Sequence, residues 1–99
     1  MNEKQIELTN KEGELAQLRA SLSTNTSKVG DWKIMKCMEA QLAGSPMPYD
    51  VEELMIQRQY VRDRINEVEE EIKVLKEEAK VEMEAEMAQA IAADYSENA

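Results

Sequence analysis

The chain has 99 residues, of which 12 are basic and 21 acidic, giving a formal net charge of −9, and it contains no histidine. That length allows one small domain, and the missing imidazole removes the commonest general base and the commonest metal ligand. A single cysteine, Cys37, can form neither an intramolecular disulfide nor a zinc-ligand pair, so no enzyme chemistry, metal or cofactor is expected.

Aromatic residues are limited to Trp32, Tyr49, Tyr60 and Tyr95. A thin hairpin, whose core is only a seam, suits that composition better than a globule does. The opening residues Met1 to Gln5 are polar, and no stretch approaches ~18 apolar residues. A soluble protein of a reducing cytoplasm is therefore expected, with no signal peptide and no membrane span.

The first predicted helix covers residues 3–22. Leu8, Leu15 and Leu22 lie seven apart with Leu18 between them, which marks a coiled-coil seam. Lys11 occupies a seam position, and Gly13 weakens the helix by ~1 kcal/mol relative to Ala. Twenty such residues are marginal alone, so this helix needs a partner. Residues 23–30 are rich in Ser, Thr and Asn, whose side chains compete for backbone hydrogen bonds, and a loop is predicted there.

A second helix is predicted over 31–43, with Asp31 as its N-cap. Trp32, Met35, Met38, Glu39 and Leu42 follow helical spacing, with Ile34 beside them. Trp32 belongs to the core or to an interface, and Cys37 reads as a small apolar residue. Gly44 suits a C-terminal position of positive φ. Residues 44–50 form a second loop, because Pro46 and Pro48 cannot sit inside a helix. Asp50 then caps the third helix, with Glu53 in a capping-box position and Tyr49 paired to Leu54 as a hydrophobic staple.

The third helix is predicted over 51–93, a run with neither Gly nor Pro. Val51, Ile65, Ile72 and Ala79 repeat at one heptad position, and Leu54, Val61, Val68 and Leu75 at the other. Arg58 falls on the same seam, where a polar residue sets register. After Ala79 the heptad fails, and Met83, Met87, Ala90 and Ile91 form a shifted stripe across a stutter. Tyr95 to Ala99 are expected to fray.

These elements predict an all-α antiparallel helical hairpin with one long C-terminal helix, as a single domain over 1–99. In one arrangement helix two covers Val51 to about Arg64 and helix one covers Ile65 to about Met83. In the other, helix one folds back beside helix two and leaves the end of helix three projecting. Either way helix three carries more apolar stripe than helix two can cover, which predicts a homo-oligomer. The partner or oligomer seam comprises Leu8, Leu15, Leu18, Leu22, Trp32, Ile65, Val68, Ile72, Leu75, Met83 and Met87.

Charge separates the two ends. Residues 65–99 hold 11 acidic and 3 basic groups, which disfavours phosphate binding there and makes direct nucleic-acid contact unexpected. Lys28, Lys33 and Lys36 surround the start of helix two, a site of free N–H groups and positive dipole. With Arg62 they are candidates for an anion or nucleotide contact. The competing reading is local ion pairing with Asp31, Glu39 and Asp63.

The residues Gly30-Asp31-Trp32-Lys33-Ile34, Lys36-Cys37, Glu39-Ala40, Leu42, Gly44, Pro48-Tyr49-Asp50, Leu54, Arg58-Gln59, Arg62-Asp63 and Ile65-Asn66 form a pattern over roughly residues 28–70. It resembles small helical-hairpin proteins of tailed phages and prophages. The resemblance implies a viral origin, a location in the host cytoplasm or the virion, and a non-enzymatic role. It supplies no catalytic residues. A virion structural or assembly component is the first expectation. The alternative is an inhibitor of a host defence system, acting as an acidic mimic or by sequestering a nucleotide signal.

Overall fold

The computed structural model describes residues 2–97, and the side chains of 2–92. Three helices follow in order: α1 (Glu3–Ser23), α2 (Asp31–Ala43) and α3 (Val51–Glu97). No strand occurs among the described residues. The molecule is a rod of 84 × 18 × 18 Å, an all-α hairpin dominated by its last helix. That helix continues four residues beyond the predicted end, and Asn98 and Ala99 lie outside the described residues.

α1 lies antiparallel on α3, which resolves the choice between the two arrangements. Lys4 meets Glu82 at 2.7 Å, Lys11 meets Glu71 at 2.7 Å and Arg64 meets Glu14 at 2.9 Å. Residue numbers rise along α1 as they fall along α3. The buried seam holds Val68, Ile72 and Leu75. Leu8, Leu15, Leu18 and Leu22 from α1 are half-buried. Asn2 starts α1 with a capping box: its carboxamide accepts from Gln5 N–H at 2.9 Å, and Gln5 accepts from Asn2 N–H at 3.2 Å.

Arg58 is the hinge of the fold. The residue is 6 % exposed. Nη1 donates to the carbonyls of Val29 (2.6 Å) and Leu22 (3.4 Å), and Nη2 meets the Asp31 carboxylate at 2.6 Å. One guanidinium thus joins the end of α1, the loop and the start of α2 to α3. This corrects two expectations. Asp31 is not the N-cap of α2: Gly30 holds that position without a side-chain bond, and Asp31 is the first helical residue. Nor does α2 reach Arg64. It starts beside Arg58 and runs toward the beginning of α3, so α1 covers about 58–82 rather than 65–83.

The reason lies in the 24–30 loop, which is folded tightly rather than stretched. The Ser27 carbonyl accepts from the Trp32 indole at 2.7 Å and from Gly30 N–H at 3.2 Å. A side chain at Gly30 would strike the Thr24 carbonyl and the Trp32 ring. These bonds also set the rotation of α2. Cys37 faces inward and is buried, whereas Met35, Met38 and Leu42 point outward. Thirteen residues span ~20 Å and residues 51–58 only ~10 Å, so α2 overhangs the start of α3.

The second turn forms as its residues require. Gly44 has φ 69°, the left-handed region open to glycine. Asp50 accepts from Glu53 N–H at 3.1 Å. The Glu53 carboxylate accepts from Gln57 at 3.2 Å instead of returning to the cap. Tyr49 packs edge-on to Trp32, with ring centroids 5.8 Å apart and planes at 84°, and so ties the turn to α2.

Removing the guanidinium in Arg58→Ala leaves the Leu22 and Val29 carbonyls and the Asp31 carboxylate without their donor, at a cost of ~2 kcal/mol. Asp50→Ala removes one cap, at ~1 kcal/mol. Thermal melts followed by circular dichroism should rank Arg58→Ala below Asp50→Ala, and both below wild type. The reverse order would show that the turn, not the guanidinium, organises the hairpin.

Candidate functional site

The candidate basic cluster is divided. The Lys33 ammonium sits 4.7 Å from the Tyr49 ring centroid and 5.6 Å from that of Trp32, and Lys36 sits 5.5 Å from Trp32. Both cations therefore rest on aromatic faces. Lys28 is exposed and Arg62 half-buried. A shallow concavity of about 190 Å³ beside Lys33 is lined by Tyr49, Leu54 and Gln57, and by the carboxylates Asp50 and Glu53. Lys28, Lys36 and Arg62 do not line it. The structure thus gathers Lys33 and Lys36 around Trp32, and among the described residues neither Lys28 nor Arg62 joins them on an aromatic ring.

The predicted seam splits in the same manner. Val68, Ile72 and Leu75 are buried. Leu8, Leu15, Leu18, Leu22, Trp32 and Ile65 are half-buried. Met83 and Met87 are mostly exposed, as is Ile91. The first residues of α1 lie beside Glu82, Ala85, Glu86 and Gln89, so the last turns of α3 run beyond the end of α1.

Two further surfaces are open among the described residues. One is the outer face of α2, where Met35 (61 % exposed), Met38 (57 %) and Leu42 (88 %) form an i, i+3, i+7 stripe. Met47, Val51 and Met55 add exposed apolar surface at the same end of the rod. Helical spacing alone marks this stripe, but only the rotation imposed at Arg58 and Trp32 shows that it faces outward.

The other surface is a trough of about 720 Å³ along the α1–α3 pair. Val74 and Leu75 form its floor, and five glutamates with Lys11 form its walls. Glu71 meets Lys11 at 2.7 Å and Arg64 at 3.5 Å, Glu67 meets Arg64 at 3.0 Å, and Glu78 meets Lys4 at 3.7 Å. Among the described residues, Glu7 and Glu70 have no cationic partner. The sequence signal for this trough is an acidic run interrupted by Val74, and that signal does not say which helix face it occupies.

Electrostatics along the trough follow from these contacts. The Lys11 ammonium holds the Glu71 carboxyl below the usual range, against the opposing effect of burial, with Arg64 assisting. Glu82 holds the Lys4 ammonium above its usual range, and Glu71 does the same for Lys11. Glu67 and then Glu14 hold the Arg64 guanidinium further up.

No family model, no curated protein and no solved structure matches this chain. No helix among the described residues is long and apolar enough to cross a membrane.

A carboxyl depressed by its partner stabilises the fold above its unfolded pKa, and that contribution is lost as pH falls through the lower folded value. Glu71→Gln should therefore lower the melting temperature at pH 7, by a small amount because 41 % of that side chain is exposed. The gap between wild type and variant should narrow progressively as the pH falls below about 4. Melting curves between pH 7 and pH 3 measure it. A gap that persists unchanged at pH 3 would mean that Glu71 acts by packing alone.

Proposed function

We propose that this chain is a non-enzymatic helical interaction protein that self-associates through the overhanging face of α2. One observation carries the reading: Leu42, Met38 and Met35 form an apolar stripe on a helix anchored at its N-terminal end, with Leu42 88 % exposed. A stripe of this kind on an 11.3 kDa chain removes substantial apolar area from water when it meets a second copy. Residues 28–64, which contain it, carry six bases and six acids. Two copies can therefore meet here without net repulsion, whereas the acidic ends repel one another.

The role we propose is that of a structural or assembly component of a tailed-phage virion, working in the host cytoplasm or the particle. Its support is the sequence resemblance over roughly residues 28–70. The second reading, an inhibitor that offers an acidic face to a host defence protein, draws on the two glutamates of the trough that lack cations. Purified virions separate the two: mass spectrometry should find the chain in the particle on the first reading, and its absence there favours the second.

Self-association has its own test. Analytical ultracentrifugation at tens of micromolar should show a dimer or larger species for wild type. Met38→Glu/Leu42→Glu should sediment as a monomer with unchanged helix content. A wild-type chain that remains monomeric would overturn the reading.

A further inference from the structure

We propose that the trough between α1 and α3 is a docking site for a basic amphipathic helix of another protein. The shape argues for a helix. The α3 residues that line the trough run from Glu67 to Glu78, three turns and ~16 Å of helix axis. From the other side Glu7 and Lys11 are one turn apart on α1. The cleft is a track parallel to two helices rather than a pit around one point. Among the described residues, no group of three or more carboxylates converges as a metal ion would require.

The floor argues for an apolar stripe on the occupant. Leu75 is buried beneath the trough and Val74 is 47 % exposed in its lining. Two helices close a seam from only two sides, and Val74 stays open at the lining of the trough. A third helix laid in the groove covers that remaining surface, with anchors at i, i+3, i+4 and i+7.

Charge selects the partner. Lys11 and Arg64 are already shared among Glu14, Glu67 and Glu71, and Glu7 and Glu70 have no cation among the described residues. An incoming Lys or Arg on each flank of the apolar stripe would pair with them. A second copy of α3 would bring further glutamates against these walls, and like charges oppose that pairing. The occupant is therefore a different protein, and the site is separate from the α2 face through which copies of this chain associate.

The test uses the full chain and a synthetic helical peptide of 18 residues as probe, with Leu at i, i+3, i+4 and i+7 positions and Lys on both flanks. A matched peptide carries Glu in place of Lys. Fluorescence anisotropy should show saturable binding of the Lys peptide, weakened by added salt, and none of the Glu peptide. Glu7→Lys/Glu70→Lys breaks none of the ion pairs described above and should weaken binding at least tenfold. Glu84→Lys/Glu86→Lys makes the same change in net charge beyond the trough and should stay within about twofold of wild type. Equal losses in the two variants, or no saturable binding by wild type, would overturn the proposal. Sedimentation of the same samples reports self-association separately, so either claim can fail without the other.

Discussion

The hairpin depends on one buried cation. Arg58 stands where the heptad calls for an aliphatic residue, and its guanidinium reaches two backbone carbonyls and the Asp31 carboxylate. Burying a charge is costly unless its hydrogen bonds are satisfied. Here the partners come from three segments distant in sequence, the end of α1, the loop and the start of α2. The cost is offset only when all three are in place. A leucine at this position would pack comfortably whether or not α1 had slipped by a heptad. An arginine fits one register, because the Leu22 and Val29 carbonyls must lie opposite it. Nε finds no partner, so the arrangement is strained in its polar accounting even as it fixes the geometry.

From that point outward the rod is built by weak, distributed interactions. The α1–α3 ion pairs are largely exposed, and exposed pairs contribute little individually. Their arrangement still counts: Lys4, Lys11 and Arg64 meet carboxylates across the helix pair in antiparallel order, and that order reinforces the register set at Arg58. Among the described residues the buried apolar set is short, comprising Cys37, Leu54, Val68, Ile72 and Leu75. A core of this size leaves little margin in a chain this long. Any partner that binds the folded form adds stability by mass action, so the open faces bear on stability as well as recognition.

The sequence displayed the helices because their signals are local: the heptads of α3, the Asp50 cap, the prolines at 46 and 48, and Gly44 where positive φ occurs. The Asn2–Gln5 capping box has an equally local signal, a capping residue three before Gln, but it was not among the expectations. What the sequence hid depends on contacts between distant segments. Asp31 has the composition of an N-cap, and nothing local shows that Arg58, 27 residues away, takes its carboxylate. The loop at 24–30 has a flexible composition, yet Ser27 folds it around the Trp32 indole. That compaction moves α1 along α3 and turns Met35, Met38 and Leu42 to the outside. The candidate lysines were recognisable as a cluster, but the sequence does not show that two of them rest on aromatic rings.

On the proposed reading, the charge gradient along α3 gives the two open surfaces different tasks. Near Arg58 the molecule is electrically balanced, and an uncovered apolar stripe there can meet its own kind. Toward the C-terminus the acidic residues outnumber the basic ones by eight over residues 65–99. Apolar surface in that region, Val74, Val81, Met83 and Met87, is therefore shielded from a second copy by like charge. The same carboxylates that keep that half of the rod apart from its copies favour a basic partner. Glu7 and Glu70 matter more in this than their number suggests, because the other trough glutamates are neutralised internally, by Lys4, Lys11 and Arg64. An acidic helix can thus keep its ends from aggregating and still retain a specific place for another chain to dock.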